Sequence, residues 1–288
     1  WMLALVMLIN RTGMMVVPFL SIYAREAMGF SMRETGIVLG LFGVGSIAGA
    51  WLGGWLTDRF GHFAVQFLSL VTGGILFMVL SGLDHFYAFA TGIFILSAVS
   101  DTMRPANATA FASYARAKNV ARAFSLNRMA FNLGFSLGPA LGGFLATISF
   151  RLLFIADGFT CIVAGLVFYF YFRGVTARRE AAPADGLGEV LRKSPYRDLR
   201  FLAVSALQCC FAIAFFQLLS TLPLYYKEVY GLSEGSVGLL LALNGFVVFA
   251  LEMILVYVLG RRYSTRALVV GGVLLTGASL AVLNVHHH

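Results

Sequence analysis

Residues 36–61 read GIVLGLFGVGSIAGAWLGGWLTDRFG, an apolar stretch that is punctuated by glycines and ends in a charged turn. It contains no charged side chain before Asp58, and about 20 such residues are enough for a helix to cross the hydrocarbon core of a membrane. The glycines recur every four residues in two sets, Gly36 and Gly40, then Gly45, Gly49 and Gly53. Small residues at this spacing let a second helix approach backbone to backbone. The stretch therefore predicts a membrane-spanning helix with a close helical neighbour.

Composition supports this interpretation over a glycine-rich core helix of a soluble protein. Hydrophobic residues make up 59% of the 288 residues and charged residues 12%, whereas about a quarter of a soluble domain is charged. The net charge of +8 could suggest nucleic acid, but the basic residues lie between apolar segments instead of clustering on one surface. We therefore expect an integral membrane protein without a nucleic-acid partner. The three cysteines lie inside apolar runs without metal-ligand spacing, so neither a metal nor a cofactor is predicted.

Nine apolar segments follow one another along the chain. They cover residues 1–24, 34–57, 63–83, 86–108, 123–148, 152–172, 199–225, 236–259 and 267–285. Connectors after even-numbered segments hold fourteen of the 21 Lys and Arg residues, and connectors after odd-numbered segments hold four. This positive-inside bias predicts a multi-pass protein of the plasma (inner) membrane whose N-terminus is cytoplasmic.

An internal repeat divides the chain. Residues 23–31 resemble residues 225–233 at a constant offset, and Gly36 and Gly43 then align with Gly238 and Gly245. Two similar halves joined by a basic loop are typical of transporters built from parallel repeats. The predicted domains are a six-helix half at 1–172, a cytoplasmic basic linker at 173–198, the first three helices of a second half at 199–285, and terminal histidines at 286–288 that are a tag remnant or a loop. By this count the second half lacks about three helices, and we expect a nine-helix product not to transport.

The charged turn carries a family resemblance. Gly54, Asp58, Arg59 and Gly61 resemble the G-x-x-x-D-R-x-G loop between the second and third helices of the major facilitator superfamily. That signature normally continues with basic residues, where this chain has the sequence HFA from His62. The resemblance implies an all-α fold of two six-helix repeats, nine helices of which are present here. It also implies that the turn is a latch between cytoplasmic helix ends, which favours the outward-open state.

A second resemblance lies in the fifth segment. Its small residues match the G-x-x-x-G-P-x-x-G-G motif of superfamily antiporters at Gly134, Gly138, Pro139, Gly142 and Gly143. Ser125 stands where the family pattern begins with another glycine. Three of the glycines share one smooth helical face and the proline bends the helix, so we expect a tight seam against a helix of the other half. Ordinary small-residue packing is a compatible alternative.

Intramembrane charges are the candidates for proton coupling, because each costs at least ~2.5 kcal/mol at the membrane centre. Asp101 and Arg104 are one turn apart, so they form either a self-satisfied ion pair or a gating or coupling element. The Arg-Pro pair resembles the fourth-helix motif that is associated with proton movement in proton-linked members. Glu252 has no basic residue within a turn, which favours its neutral form and suits a proton-binding site. The alternative for Glu252 is a permanently protonated, hydrogen-bonded carboxyl.

Candidate substrate contacts are more scattered. The first segment, with Asn10, Arg11 and Pro18, resembles the first helix of drug–proton antiporters, and Arg11 either faces a central cavity or extends toward the cytoplasmic surface. The predicted substrate-binding residues are Arg11, Tyr23, Asn132, Gln217 and Asn244. Asp157 is expected to be an interface residue near the outer end of the sixth segment.

Together these features predict a monomeric secondary transporter that works by alternating access with protons as partner, most simply an efflux antiporter for amphipathic or cationic small molecules. No G-x-x-x-x-G-K-[ST] loop occurs, so ATP is not implied. The segments contain no nucleophile paired with a base, so an enzyme is not predicted. The alternatives are a proton-coupled symporter of a sugar, peptide or organic acid, and a non-transporting scaffold or receptor.

Overall fold

The computed structural model describes residues 1–115, 120–175 and 198–285, and these residues are almost entirely helical. The helices are α1 (Met2–Thr12), α2 (Val16–Ile22), α3 (Met32–Phe60), α4 (His62–Leu80), α5 (Phe86–Asp101), α6 (Met103–Tyr114), α7 (Val120–Ile148), α8 (Phe150–Phe172), α9 (Leu199–Phe216), α10 (Thr221–Glu228), α11 (Glu234–Arg262) and α12 (Thr265–Val285), with a π-helical turn at Tyr23–Ala27 after α2. Each of the nine predicted segments is mostly helical over its described residues, which confirms the all-α prediction.

The lengths of these helices suit a membrane. Among the described residues, eight helical stretches are long and apolar enough to span a bilayer, and Arg266–Val282 is a shorter apolar helix. Three of the spans each consist of two consecutive helices separated by a short interruption. These pairs are α1 and α2, α5 and α6, and α9 and α10. The sequence analysis did not predict these three interruptions.

The chain divides into two compact units. The larger unit comprises Trp1–Glu180 and Leu219–Phe249, and the smaller unit comprises Ala181–Leu218 and Ala250–His288. In the smaller unit α9 has no buried residue among those described. The predicted division at 172 and 198 is not tested, because most of the basic linker and the terminal histidines lie outside the described residues.

Within the larger unit, α3 packs along α5 through its glycines, as the stretch at 36–61 predicts. Ser31 and Glu34 form a reciprocal capping box at the start of α3. Gly45, Gly49 and Gly53 are buried, and a Cβ atom on any of them would meet the main chain of α5 or the residue that follows it. The first glycine set has no such neighbour among the described atoms. Only the second set therefore makes the backbone contact in this unit.

This seam gives a stability prediction. Gly49→Ala would place its Cβ 2.9 Å from the carbonyl carbon of Ala98 and 3.0 Å from its Cα, so the two helices would have to separate. We expect a loss of roughly 1–3 kcal/mol, seen as a lower apparent melting temperature of the detergent-solubilised protein. Gly40→Ala is the matched control, because nothing lies within 4 Å of its Cβ position and Ala favours a helix by about 1 kcal/mol. Equal melting temperatures for the two variants would contradict the seam.

Candidate functional site

A small cavity with charged side chains in a largely apolar wall lies inside the larger unit, where the spans made by α1–α2, α3, α4, α5–α6 and α8 meet. Its volume is about 100 Å³, enough for roughly three water molecules. Its polar lining residues include Asn10, Arg11, Ser69, Ser97, Ser100, Asp101, Arg104 and Asp157, and its apolar lining residues include Met14, Val17, Leu70, Phe42, Phe77 and Leu96. The cavity brings together three predicted site residues, namely Arg11, Asp101 and Arg104.

Asp101 and Arg104 form an ion pair at the point where α5 gives way to α6. Nε of Arg104 lies 2.5 Å from Oδ1 of Asp101, and the Ser46 hydroxyl donates a hydrogen bond to Oδ2. Asp101 is buried, whereas the side chain of Arg104 is 56% exposed. Both carboxylate oxygens of Asp101 are thus engaged by the chain itself. This geometry is compatible with both roles considered for the pair, so its part in proton coupling stays a prediction.

Arg11 is in a different electrostatic situation. Its Cζ lies 4.4 Å from the ring centroid of Phe131, and Nη1 donates to the Met14 sulfur at 3.5 Å. Nε is buried without a hydrogen-bond partner in the part of the chain that the structure describes. No carboxylate of a described residue lies within ion-pair distance of the guanidinium. The cavity wall therefore contains a guanidinium that no carboxylate of the described residues contacts directly.

Asp157 is a site residue that the sequence analysis misplaced. It is 1% exposed and accepts hydrogen bonds from the backbone N–H of Met15, at 3.0 and 3.3 Å, and of Val16, at 2.9 Å. The expectation of an interface residue is wrong, because Asp157 satisfies the start of α2 where the first span is broken at Gly13. Unpaired backbone donors are costly at membrane depth, so the break requires such an acceptor. The sequence did contain an indication of this role, because Asp157 is an isolated carboxylate in an apolar segment. The same feature made Glu252 a candidate site residue.

The glycine motif of α7 supports the same break. Gly134 packs on Arg11, Gly138 faces three main-chain oxygens around the break, and Gly142 packs on Met15. These glycines are four residues apart and share one helical face, as predicted. That face contacts the first span instead of a helix of the second half, so the predicted partner of the face differs from the observed one.

The neighbouring face of α7 makes the contact with the second repeat. Pro139 and Gly143 pack on Gly238 of α11, where a Cβ on Gly143 would lie 2.9 Å from the Gly238 Cα. Further along, the Ser136 hydroxyl donates to the Ala242 carbonyl at 2.9 Å. Residues 142 and 143 are adjacent and so point about 100° apart. One motif therefore serves two seams at once, one with the first span and one with α11.

Two crossed ion pairs join the repeats at the end of the unit where α2 and α10 finish. Arg25 Nε lies 3.3 Å from Glu228 Oε1, and Lys227 Nζ lies 3.4 Å from Glu26 Oε2. Lys227 is also 2.6 Å from Glu234. In the internal repeat Arg25 corresponds to Lys227, and Glu26 corresponds to Glu228. The basic residue of each repeat therefore contacts the acidic residue of the other repeat. We call these contacts the crossed pairs.

The predicted latch residues lie at the end of α3. Asp58 and Arg59 are exposed, and neither forms an ion pair with another residue that the structure describes. The Arg59 guanidinium instead lies 5.4 Å from the ring of Trp55. Gly61 ends the helix with φ of +81°, a conformation that favours glycine, and Gly54 has an open flank. The latch function stays a prediction.

The remaining predicted substrate contacts do not line the cavity. Tyr23 is buried among Phe89, Phe150 and Phe154, with ring centroids 5.0–5.7 Å away. Asn132 on α7 is half-buried and Asn244 on α11 is exposed. Gln217 is half-buried in the smaller unit, where its side chain donates to the Ile213 carbonyl at 3.4 Å. Glu252 belongs to α11, and its side chain lies outside the described residues.

Comparison with known proteins identifies the family. The model of the Major Facilitator Superfamily matches residues 3–286. The uncharacterized MFS-type transporter YqjV of Bacillus subtilis is 24% identical over 95% of this chain and 67% of its own length. The tetracycline resistance protein, class B, of Escherichia coli is 25% identical over 93% of this chain and 68% of its own length.

Two further comparisons agree with these. The quinolone resistance protein NorA of Staphylococcus aureus is 24% identical over 78% of this chain and 58% of its own length. Among solved structures, that of a peptide transporter POT aligns with a TM-score of 0.69 and 17% identity over 92% of this chain and 69% of that chain. The chain thus spans about 58–69% of the length of these proteins. It belongs to the Major Facilitator Superfamily, a family of multi-pass membrane transporters.

Proposed function

We propose that the protein is a secondary transporter that exports amphipathic compounds, cationic ones included, in exchange for protons. The observation that carries the proposal is a charged polar cavity inside an apolar helical bundle. Intramembrane charges are costly and mark substrate or ion pathways, and here Arg11, Asp101 and Arg104 meet in one cavity. The drug-resistance names of two relatives and the antiporter motif on α7 support export of drug-like molecules.

Alternating access supplies the mechanism. Protonation of an intramembrane carboxyl biases one of two conformations, and a ligand shifts the equilibrium only by its differential affinity for them. If the N-terminus is cytoplasmic, as the positive-inside bias predicts, the crossed pairs lie at the outer end of the protein. There they act as an outer gate that must open for release, while Asp58 and Arg59 form a latch at the cytoplasmic end once the outer gate is open. Proton entry from outside then displaces substrate outward.

A transport experiment tests this function. The full-length protein is reconstituted in liposomes with an imposed pH gradient, and ethidium, a fluorescent quinolone and internal pH are followed together. We expect at least one compound to move against its gradient while protons run the other way. Glu252→Gln and Asp101→Asn should each reduce this coupled movement at least tenfold, because neither amide can carry a proton on and off.

The controls separate the alternatives. Asp84→Asn is matched in chemistry, and Asp84 is exposed and lies outside the cavity wall, so it should leave export within about twofold. If both compounds stay inert while a sugar, peptide or organic acid dissipates the pH gradient, the protein is a symporter. If no solute couples to protons and neutralising both carboxyls changes nothing, a scaffold is the better description.

A further inference from the structure

The cavity wall holds two arginines and two aspartates, but only Arg104 forms an ion pair with a described carboxylate. Asp101 is engaged by Arg104 and Ser46, and Asp157 is engaged by two backbone N–H groups. Neither carboxylate forms an ion pair with Arg11. A guanidinium removed from water is stabilised by a paired anion, and the described part of the chain gives Arg11 none.

The position of the Arg11 guanidinium leaves hydrogen-bond donors available. Its Cζ atom lies over the ring of Phe131 at 4.4 Å, a cation–π contact that supplies no hydrogen-bond acceptor. Of its N–H groups, only Nη1 has a described hydrogen bond, and its partner is the weak acceptor sulfur of Met14. Nε is buried without a partner. An oxyanion in the cavity would supply the strong acceptor and the negative charge that the described contacts of Arg11 lack.

We propose that this cavity binds the carboxylate of an amphipathic substrate through Arg11, so that the exported compounds are carboxylate-bearing amphipaths. The inference rests on the proposed function, whose substrate class it narrows. A carboxylate matches the fork of a guanidinium and carries the single negative charge that Arg11 lacks.

Size and lining define the rest of the ligand. A volume of about 100 Å³ holds a carboxylate and its first carbon atoms, whereas pockets for whole drug-sized ligands are roughly 300–1,000 Å³. Met14, Phe42 and Phe77 give the cavity an apolar wall beside the charged groups. The ligand is thus polar at the end that enters this cavity and apolar next to it. A cationic amphipath without a carboxylate would leave Arg11 unpaired, whereas a zwitterion satisfies both Arg11 and an acidic group elsewhere.

A binding experiment with two matched probes tests the proposal. Dansylglycine and dansylglycinamide share a fluorophore and differ only in the carboxylate. Each is titrated into the purified full-length protein in lipid nanodiscs without any ion gradient. We expect dansylglycine to bind about tenfold or more tightly than the amide, as a charge-assisted hydrogen bond predicts. Arg11→Gln should remove this preference, and Arg11→Lys, which keeps the charge but not the fork, should keep only part of it.

Arg151→Gln is the matched control, because Arg151 is an exposed arginine paired with Asp84 and lies outside the cavity wall. It should leave the preference unchanged. Equal binding of the two probes to the wild type, or an undiminished preference in a folded Arg11→Gln protein, would overturn the proposal. Displacement by acetate with the affinity of dansylglycine itself would also overturn it, since the apolar wall would then add nothing. The assay needs no transport, so its failure leaves the exchange of solute for protons to be judged by the liposome experiment.

Discussion

Arg25→Glu should lower export at least tenfold, and adding Glu228→Arg to it should restore most of the rate. The single change replaces an attraction at 3.3 Å by a repulsion between two carboxylates at the end where the repeats meet. At the effective dielectric constant near a protein surface such a reversal is worth a few kcal/mol, and about 1.4 kcal/mol is a factor of ten. The double change restores a pair of opposite charges with their positions exchanged. The closed conformation of the outer gate therefore regains its stability.

The measurement is the initial rate of solute export in proteoliposomes for the wild type, both single variants and the double variant. Arg151→Glu serves as the matched control, because Arg151 and Asp84 are also 3.3 Å apart but both belong to the first repeat. We expect the control to change export by less than twofold, as exposed ion pairs are worth about 0–1 kcal/mol. A double variant as slow as the single one would show that the crossed pairs do not hold the gate.

Asp157→Leu should prevent stable folding, whereas Asp157→Asn should be tolerated with a modest loss. Leucine fills a similar volume but leaves the N–H groups of Met15 and Val16 without an acceptor in a buried site. Each unpaired group costs several kcal/mol at membrane depth. Asparagine keeps one side-chain oxygen, which can still accept a hydrogen bond from the backbone N–H groups of Met15 and Val16.

The comparison is made by fluorescence-detected gel filtration after heating, which reports an apparent melting temperature. For Asp157→Leu we expect a decrease of more than about 10 °C or no monodisperse protein, since roughly 1 kcal/mol corresponds to about 2–4 °C in a chain of this size. Asp84→Leu is the control, because the side chain of Asp84 is 70% exposed and caps no helix break. An unchanged melting temperature for Asp157→Leu would show that the break in the first span does not depend on this carboxylate.

The positions of the spans could be predicted because they depend on local properties. A run of about 20 apolar residues must form a helix at membrane depth, since only a helix satisfies its own backbone. Helix α3 illustrates this, because its apolar length and its end at the charged turn are visible in the sequence. The breaks in the first, fourth and seventh spans could not be found in this way. The first break, for example, is stabilised by Asp157, which is 142 residues away from Met15.

The candidate site could be predicted only in part. Asp101 and Arg104 are one turn apart on one span, so their pairing follows from helical geometry. The lack of an ion pair at Arg11 could not be predicted. It depends on the other groups that bind the two nearby carboxylates, Asp101 and Asp157. Tyr23 shows the opposite case, since a residue chosen as a cavity contact lies instead in an aromatic cluster.

The sequence by itself determined the helical class, the approximate positions of the spans, the repeat and the family, because each depends on composition or on spacing along the chain. The tertiary structure decided which glycine face meets which helix, where the first span breaks, and how the charges pair. The crossed pairs show the reason most directly. The repeat aligns Arg25 with Lys227 and Glu26 with Glu228, but only the approach of α2 to α10 makes each cation contact the acid of the other repeat. Such contacts depend on distances between remote residues, which no local pattern contains.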